Sequence, residues 1–174
     1  MLLLLLRPAS LIGLLLLTFT LMPATALALD PPTGRVLLKV GGEIGVTNVG
    51  DEAHFDREML LALPQHETLT HTPWHDGQMA FQGPLGRDLL DAVGARGDAL
   101  RITALNDYAA TLPLADLQRY DVILAMTMNG EPLQIRDQGP LFVIYPFDDQ
   151  PHLLNEEILT RSVWQVARID VQGD

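Results

Sequence analysis

The chain contains no cysteine among its 174 residues. This absence excludes disulfide bonds, thiolate metal ligands and any mechanism that depends on a cysteine nucleophile. It does not exclude a stable fold, because a chain of this length buries a hydrophobic core without covalent cross-links. The functional interpretation therefore rests on oxygen, nitrogen and aromatic side chains.

Basic residues are scarce as well. The chain has 11 lysines and arginines against 22 aspartates and glutamates, which gives a formal net charge of −11 at pH 7. Such a charge is repelled by the phosphate backbone of nucleic acids and by the surface of anionic membranes. Nucleic-acid binding is therefore disfavoured, although acidity that only maintains solubility explains the same composition.

Long apolar runs are confined to the N-terminus. Residues 11–21 form such a run. It follows Arg7, which is the only basic residue of this N-terminal segment, and it precedes several small residues, the last of which is Ala28. This order is typical of a secretory signal peptide that is cleaved after Ala28. A transmembrane anchor is the alternative, but the run ends in cleavage-site chemistry rather than in a basic flank. We therefore expect residues 1–28 to be a signal peptide.

Residues 29–174 are then the mature protein, and their number suits a single domain. No other stretch is long and apolar enough to span a bilayer, so no membrane insertion is expected after cleavage. We expect a soluble protein in the periplasm or outside the cell.

Hydrophobic periodicity predicts two helices in this domain. One begins after Asp56 as its N-terminal cap and ends before Pro64. The other covers residues 85–93. The segment between them, residues 65–83, lacks periodicity and is rich in histidine, threonine, proline and glycine, so the sequence predicts a long functional loop there.

Short apolar or alternating runs predict strands in the rest of the domain. They cover residues 35–40, 43–47, 100–105, 108–112, 120–128, 141–145 and 164–171. Both faces of residues 120–128 are apolar, which is typical of a central strand, and Asn129-Gly130 suits a tight hairpin turn into residues 131–135. Many strands and few short helices predict an α+β domain with a mixed or antiparallel β-sheet.

Several short motifs follow one another along this domain. They are Phe81-Gln-Gly83, Leu85-Gly-Arg87-Asp-Leu-Leu90, Ala104-Leu-Asn-Asp-Tyr108, Leu124-Ala-Met-Thr-Met-Asn-Gly-Glu-Pro-Leu133, Arg136-Asp-Gln-Gly-Pro-Leu141, Tyr145-Pro146, Val163-Trp164 and Ile169-Asp-Val171. In this order, over residues 36–171, the chain resembles the molybdopterin-binding domain of the sulfite-oxidase-like oxidoreductases. The resemblance implies the fold of that domain and a pocket for a pterin.

Two positions depart from the pattern of the family's redox enzymes. Those enzymes hold molybdenum through one cysteine and the dithiolene of the pterin cofactor, whereas the corresponding loop here, Thr70-His-Thr-Pro-Trp-His75, has no sulfur. Val163 stands where a basic residue commonly precedes the closing tryptophan, which removes an expected contact to the cofactor's phosphate. Both departures argue against bound molybdenum and against a working molybdoenzyme.

Short exported proteins that lack the cysteine form a subgroup of this family, often labelled oxidoreductases by similarity. Some of them resemble periplasmic pterin-binding sensory proteins, which work beside membrane-bound enzymes that make or degrade cyclic di-GMP. This chain is similar to them in length, in its N-terminal segment and in the Thr-Pro-Trp loop. The similarity implies a non-enzymatic sensor that binds a pterin, free or molybdopterin-like, and passes its occupancy to a signalling partner.

A pterin presents a flat ring and an edge at which two N–H groups can donate together to one carboxylate. Its site therefore needs aromatic side chains, and the few aromatics of this chain lie within or beside the motifs above. The aromatic candidates are Trp74, Tyr108, Tyr145, Phe147 and Trp164. Trp74 is favoured because it lies in the aperiodic segment, while core positions are the alternative for Tyr145 and Trp164.

Polar candidates for the pterin edge lie at predicted strand ends and loops. Asp107, Asp137 and Asp148 could supply the carboxylate, with a turn before the next strand as the alternative for Asp107. Arg136 and Arg161 could reach a carbonyl or phosphate of the ligand, with salt bridges as the alternative. The predicted cofactor-binding residues are Trp74, Asn106, Asp107, Tyr108, Arg136, Asp137, Arg161 and Trp164.

Other chemistry finds little support in the sequence. His66, His71 and His75 share the predicted loop and could bind zinc or copper, but their spacing matches no ligand motif. Ser162 lacks the surroundings of a nucleophilic serine, and no phosphate-binding glycine motif occurs. We predict neither a catalytic residue nor a metal site.

Three interpretations remain open. The first is a periplasmic pterin-binding sensor. The second is a molybdopterin-dependent oxidoreductase in which another ligand replaces cysteine, which requires molybdenum and a redox partner such as a haem protein. The third is an interaction module that kept the fold and lost the ligand. The absent cysteine favours the first over the second, and the retained aromatic and polar residues favour it over the third.

Overall fold

The structure is a computed structural model that describes residues 29–173. The predicted signal peptide, residues 1–28, lies outside the described residues. The strands are β1 (Leu38–Gly42), β2 (Ala53–Phe55), β3 (Gln65–His71), β4 (Gln78–Pro84), β5 (Ala99–Ala104), β6 (Ala109–Pro113), β7 (Ile123–Ala125), β8 (Thr127–Met128), β9 (Glu131–Pro132), β10 (Phe142–Ile144) and β11 (Val166–Gln172). The helices are α1 (Arg57–Ala62), α2 (Gly86–Ala92), α3 (Leu114–Arg119) and α4 (Glu156–Arg161).

The largest sheet has the strand order β2-β1-β11-β5-β6. β1 and β11 are parallel, with Val40 opposite Ile169, and the other neighbours are antiparallel. Val40, Ile102 and Ile169 are fully buried in one hydrophobic core, and each such side chain stabilises the fold by about 1.5 to 3 kcal/mol. The mixed sheet and the few short helices confirm the predicted α+β class.

A second sheet has the order β3-β4-β8-β9, and β7 pairs with β10. The backbones of β4 and β7 approach closely at Gly83, where a Cβ atom would lie 1.9 Å from the carbonyl oxygen of Leu124. A second hydrophobic cluster, which contains Phe81, Ile123 and Phe142, draws its residues from β4, β7 and β10. These strands place an aromatic cluster beneath the tip of the β3–β4 hairpin.

Both predicted helices are confirmed. The Asp56 carboxylate caps α1, because its Oδ1 accepts a hydrogen bond from Met59 N at 3.0 Å. α2 is followed by Gly94, whose φ of 59° suits a residue without a side chain. Among residues 29–173, no helix has the length and apolar composition that crossing a membrane requires.

The predicted long loop over residues 65–83 is wrong, because β3 and β4 form a regular hairpin that pairs Gln65 with Pro84 and His71 with Gln78. Thr68 and Thr70 occupy the buried face of β3. The buried positions of β3 are therefore polar, and its one apolar residue, Leu69, is 53% exposed, so the strand has little hydrophobic period to detect. Threonine still favours strands, because its branched Cβ packs well on a pleated surface. The loop reduces to the hairpin tip, residues 72–77.

Two strand predictions also need correction. Residues 43–47 leave the sheet after Gly42, which has a φ of 83°, and Val46 N instead donates to Val93 O at the end of α2. Residues 120–128 are split into β7 and β8, and β10 is the only strand that pairs with β7 in the described chain. The fully apolar run reflects burial by packing on both sides rather than a central position in a sheet.

The hairpin turn at Asn129-Gly130 is confirmed, with φ values of 53° and 82°. The strand after it covers only Glu131–Pro132 rather than residues 131–135. α3 and α4 were not anticipated, because a helix of six residues is too short to display a period.

Glu52, directly before β2, joins a charged network on the largest sheet. Its carboxylate accepts a hydrogen bond from Arg168 Nη1 at 2.6 Å and lies 2.7 Å from His54 Nε2. The contacts with His54 and Arg168 lower the pKa of Glu52 from its usual value of 4.5 to about 2. A lowered carboxylate pKa stabilises the folded state above the usual value, and this contribution is lost as the pH falls towards 2.

We expect Glu52→Gln to lower the free energy of unfolding at pH 7 by about 1 kcal/mol, a value discounted for partial exposure. The difference from wild type should shrink as the pH falls from 4.5 towards 2, because Glu52 becomes protonated in both states. Urea denaturation at a series of pH values measures this difference. Asp51→Asn removes an exposed carboxylate next to Glu52 and is the control; an equal effect of both substitutions would contradict the assignment.

Candidate functional site

A cavity of about 250 Å³ lies between the β5–β6 turn and the chain that follows α4. Its lining consists of Asn106, Tyr108, Leu159, Thr160, Ser162, Val163 and Trp164. Three of the predicted binding residues, Asn106, Tyr108 and Trp164, thus come together from distant parts of the sequence. No acidic or basic side chain lines this cavity.

Hydrogen bonds fix the β5–β6 turn that forms one wall. Asn106 Oδ1 accepts from Tyr108 N at 3.1 Å, and Ala104 N donates to Tyr108 O at 2.9 Å. The turn considered for Asp107 is therefore made by the side chain of Asn106. Asp107 itself has a φ of 66°, which aspartate tolerates better than most residues. Its carboxylate is exposed and makes no hydrogen bond within residues 29–173. Asp107 does not line the cavity itself but lies between Asn106 and Tyr108, which do.

The opposite wall is the last turn of α4 and the residues after it. Tyr108 OH donates to Thr160 O at 3.0 Å, which ties the β5–β6 turn to α4. Ser162 is buried, and its Oγ donates to Ile158 O at 3.0 Å, so the lone pairs of Oγ remain as acceptors. Val163 is buried in the main core, so it adds only an apolar surface to this wall.

Trp164 links the cavity to an aromatic cluster. Its ring lies 5.8 Å from that of Trp74 at an interplanar angle of 79°, and Phe142 lies 5.5 Å from Trp74 and 6.2 Å from Trp164. Edge-to-face contacts of this kind stabilise aromatic pairs. Trp164 remains 38% exposed and lines the cavity, whereas Trp74 is half-buried and does not line it. Trp74 therefore supports the cavity wall from behind.

Gln165, next to Trp164, joins the β5–β6 turn and residues 135–138. Its backbone carbonyl accepts from Leu105 N at 2.9 Å, and its backbone N–H donates to Gln138 O at 2.9 Å. Its side-chain Nε2 donates to Ile135 O at 2.8 Å. The β5–β6 turn and residues 135–138 are thereby held around Trp164.

Unusual backbone conformations concentrate in the same place. Asp107, Gln138 and Gln165 have φ values of 66°, 68° and 54°. A non-glycine residue in this region carries a cost of about 1 kcal/mol or more, and such residues cluster at functional sites. Asn129, the other non-glycine residue with positive φ in the described chain, belongs to a hairpin turn. The three strained residues mark the segments around Trp164.

Three other predicted binding residues do not line the cavity. Arg136 and Asp137 lie in the exposed 3-10 turn Ile135–Asp137, where Arg136 Nε is 3.4 Å from Asp137 Oδ2. Arg161 donates to Asp116 Oδ2 at 2.9 Å and also to the carboxylate of Glu157. All three residues therefore form salt bridges with nearby charged side chains. For Arg136 and Arg161, a salt bridge was the alternative to ligand binding.

Tyr145 and Phe147 are core residues. Tyr145 is fully buried, and its hydroxyl donates to Asp116 Oδ2 at 3.0 Å. Burial and the nearby Asp116 carboxylate raise the pKa of Tyr145 well above its usual value, so the phenol stays neutral. Phe147 is buried as well and stacks on the Tyr145 ring at 6.2 Å.

A second, wider cavity of about 560 Å³ adjoins the tip of the β3–β4 hairpin. Its lining consists of His71, Thr72, Pro73, Phe147, Asp148, Pro151 and Leu154. Asp148, the third candidate carboxylate, lies here, but its oxygens already accept hydrogen bonds from His71 and Gln78. It is therefore less available to a ligand than Asp107.

The three histidines of the predicted loop do not converge. His66 lies within β3, His71 Nδ1 is 2.9 Å from Asp148 Oδ2, and His75 Nδ1 is 2.7 Å from Thr72 Oγ1. In the part of the chain that the structure describes, no three histidine, aspartate or glutamate side chains are grouped so as to hold a metal ion.

Leu159 and Thr160 line the cavity but were not predicted as site residues. Leu105 and Ile135 do not line it; they are 47% and 51% exposed and flank residues that were predicted. Their apolar character beside polar motif residues was a usable signal. Gln165 offered no signal, because its role depends on hydrogen bonds to backbone atoms that only the fold brings near.

Comparisons with known proteins agree with this fold. The sequence model of a family described as "Oxidoreductase molybdopterin binding domain" matches residues 46–147. In structure the chain is similar to the sulfane dehydrogenase SoxCD from Paracoccus pantotrophus, with a TM-score of 0.59 and 20% sequence identity. The match covers 79% of this chain but only 38% of that chain, and at this identity it shows the fold alone. The comparison with curated proteins finds no match.

Proposed function

Because the chain belongs to the oxidoreductase molybdopterin binding domain family, we propose that it binds a free reduced pterin in the cavity lined by Trp164. In this proposal the protein is a non-enzymatic periplasmic sensor, and it passes ligand occupancy to a membrane-bound enzyme that makes or degrades cyclic di-GMP. The observation that carries the proposal is the arrangement of Asn106, Tyr108 and Trp164 around one cavity.

The cavity suits a flat heteroaromatic ring with polar edges. Tyr108 and Trp164 supply aromatic surface, and the Asn106 amide and the Ser162 hydroxyl supply hydrogen-bonding groups. The cavity volume of about 250 Å³ lies below the range of about 300 to 1,000 Å³ that is usual for drug-sized ligands. A single bicyclic ring is therefore a better match than a complete cofactor. We assign the exposed carboxylate of Asp107, which lies between the lining residues Asn106 and Tyr108, to the two N–H groups of the pterin edge.

The residues of the site fit neither the phosphate nor the metal of a complete molybdenum cofactor. No basic side chain lines the cavity, and the nearby Arg161 is paired with Asp116 and Glu157. The sequence has no cysteine that could supply the thiolate a soft metal centre prefers. These residues support binding of the pterin ring and support no redox step.

In this proposal, the surface around the cavity reports ligand binding to the partner. Leu105 and Ile135 are exposed on the two segments that Gln165 joins to Trp164. A ligand that contacts Trp164 favours one arrangement of these segments, which changes the surface offered to a partner. The exposed acidic side chain of Asp137 on one of these segments favours a partner surface with basic residues.

A fluorescence titration tests the proposal. The purified protein is titrated with tetrahydrobiopterin, and we expect saturable quenching of tryptophan emission with one ligand per chain, because Trp164 lines the cavity. Asn106→Ala and Asp107→Asn should each weaken binding by about tenfold, the value of one hydrogen bond to a charged or buried polar group. Asp137→Asn, an exposed carboxylate outside the cavity, is the matched control and should leave the affinity unchanged.

Two results would overturn the proposal. If the tryptophan emission of the wild-type protein does not change during the titration, the result would favour the third interpretation, an interaction module that has lost its ligand. Stoichiometric molybdenum in the purified protein, measured by elemental analysis, would favour the oxidoreductase interpretation with a ligand other than cysteine.

A further inference from the structure

We propose that Asp148 is a positioning residue, whose carboxylate closes the base of the β3–β4 hairpin tip and thereby holds Trp74 against Trp164. The hairpin tip comprises residues 72–77, between β3 and β4. The effect of Asp148 on ligand affinity rests on the proposed function, whereas its effect on the two tryptophans does not.

Asp148 contacts both ends of the hairpin tip. Its Oδ1 accepts from His71 N at 3.1 Å, and its Oδ2 lies 2.9 Å from His71 Nδ1 and accepts from Gln78 Nε2 at 2.9 Å. His71 and Gln78 are the last pair of the β3–β4 ladder before the tip. The carboxylate therefore spans the two positions at which the tip begins and ends.

The backbone of Asp148 makes a further contact with β3. Asp148 N donates to Thr70 Oγ1 at 3.1 Å, and Thr70 is fully buried. β3 is the edge strand of its sheet, so its outward N–H groups need partners from outside the sheet. Asp148 satisfies one of them, and no strand replaces this contact if it is lost.

The tip has few other hydrogen bonds that could hold its shape. Thr72 Oγ1 lies 2.7 Å from His75 Nδ1, and Trp74 N is 3.4 Å from the same oxygen. Trp74 is held mainly by its ring contacts with Phe142 at 5.5 Å and with Trp164 at 5.8 Å. A chain of contacts thus runs from Asp148 through the tip to Trp164, which lines the cavity.

The charge on Asp148 strengthens these contacts. Burial raises the pKa of its carboxyl group, but hydrogen bonds from Gln78 and His71 more than offset this, so the pKa is lower than usual. Asp148 is therefore ionised at neutral pH, and hydrogen bonds to an ionised acceptor are shorter and stronger than neutral ones.

Circular dichroism of the two tryptophans tests the inference without a ligand. Indole rings 5.8 Å apart and nearly perpendicular give an exciton-coupled signal in the far ultraviolet. We expect Asp148→Ala to reduce this signal and to raise hydrogen exchange of the segment that spans residues 71–78 by at least about tenfold. Asp149→Ala removes the adjacent exposed carboxylate, which makes no hydrogen bond in the described chain, and should change neither.

The affinity for tetrahydrobiopterin tests whether Asp148 affects ligand binding in the cavity lined by Trp164. Asp148→Ala should weaken binding by about three- to tenfold, because Trp74 no longer supports Trp164, while Asp149→Ala should bind as wild type does. If Asp148→Ala fails to fold, Gln78→Ala removes one of its partners from an exposed position and should show the same changes to a smaller degree.

Unchanged circular dichroism and exchange in a folded Asp148→Ala or Gln78→Ala variant would overturn the inference. A loss of global stability with no local change at the tip would also overturn it, because Asp148 would then be an ordinary structural residue. If the wild-type protein binds no pterin, the proposed function fails, and the two ligand-free measurements still decide the role of Asp148.

Discussion

Replacing Gly83 with alanine is expected to lower the free energy of unfolding by more than about 3 kcal/mol, the range of severe core defects. The added Cβ atom would lie 1.9 Å from Leu124 O and 2.7 Å from Leu124 C. Both are backbone atoms of β7, so relief requires β4 and β7 to separate. The closely packed interior near Phe81 cannot absorb such a shift without opening a cavity.

Gly77→Ala is the matched control for this substitution. Gly77 has a φ of 79°, and an added Cβ there would have no atom within 4 Å. Its expected cost is the backbone cost alone, about 1 to 2 kcal/mol. Urea denaturation of both variants separates the two effects. Equal destabilisation by the two substitutions would show that the contact between β4 and β7 at Gly83 is not as close as described.

The second large effect is expected at the proposed pterin site. Trp164→Ala should weaken binding of a reduced pterin by about 30-fold or more, because it removes an aromatic surface of the cavity and also the partner of Trp74. Tyr108→Phe keeps the aromatic ring and loses only the hydrogen bond to Thr160 O, so a smaller effect is expected there.

Leu154→Ala is the control for Trp164→Ala. Leu154 is 53% exposed and lines the wider cavity next to the hairpin tip. Isothermal titration calorimetry with tetrahydrobiopterin should show wild-type affinity for this variant. A strong effect of Leu154→Ala together with none for Trp164→Ala would move the ligand to the wider cavity.

Those parts of the fold that carry a hydrophobic period could be predicted from the sequence. The cap at Asp56, the helix before Gly94 and the turn at Asn129-Gly130 depend on local chemistry, and the structure confirms them. The order of motifs allowed the fold family to be identified, because side chains of the same type recur in the same succession.

Strand β3 of the β3–β4 hairpin could not be predicted, because its inward residues are threonines rather than aliphatic residues. Thr68 and Thr70 are buried through contacts with other elements, and a local pattern carries no record of those contacts. The same limit applies to Arg161, whose pairing with Asp116 joins residues far apart in the chain. Tertiary context, rather than propensity, decides both cases.

The structure brings some of the predicted binding residues together and separates others. Asn106, Tyr108 and Trp164 line one cavity, whereas Arg136 and Asp137 lie on a neighbouring turn and Trp74 supports Trp164 from behind. Gln165 was missed because its hydrogen bonds to backbone atoms of Leu105, Ile135 and Gln138 exist only in the folded chain.

The most direct test of the proposed function is a crystal structure of the protein with a bound reduced pterin. We expect the ring in the cavity of Asn106, Tyr108 and Trp164, with its N–H edge directed at the Asp107 carboxylate. A ring bound in the wider cavity beside His71 and Asp148, or a metal-bound cofactor in either place, would contradict it.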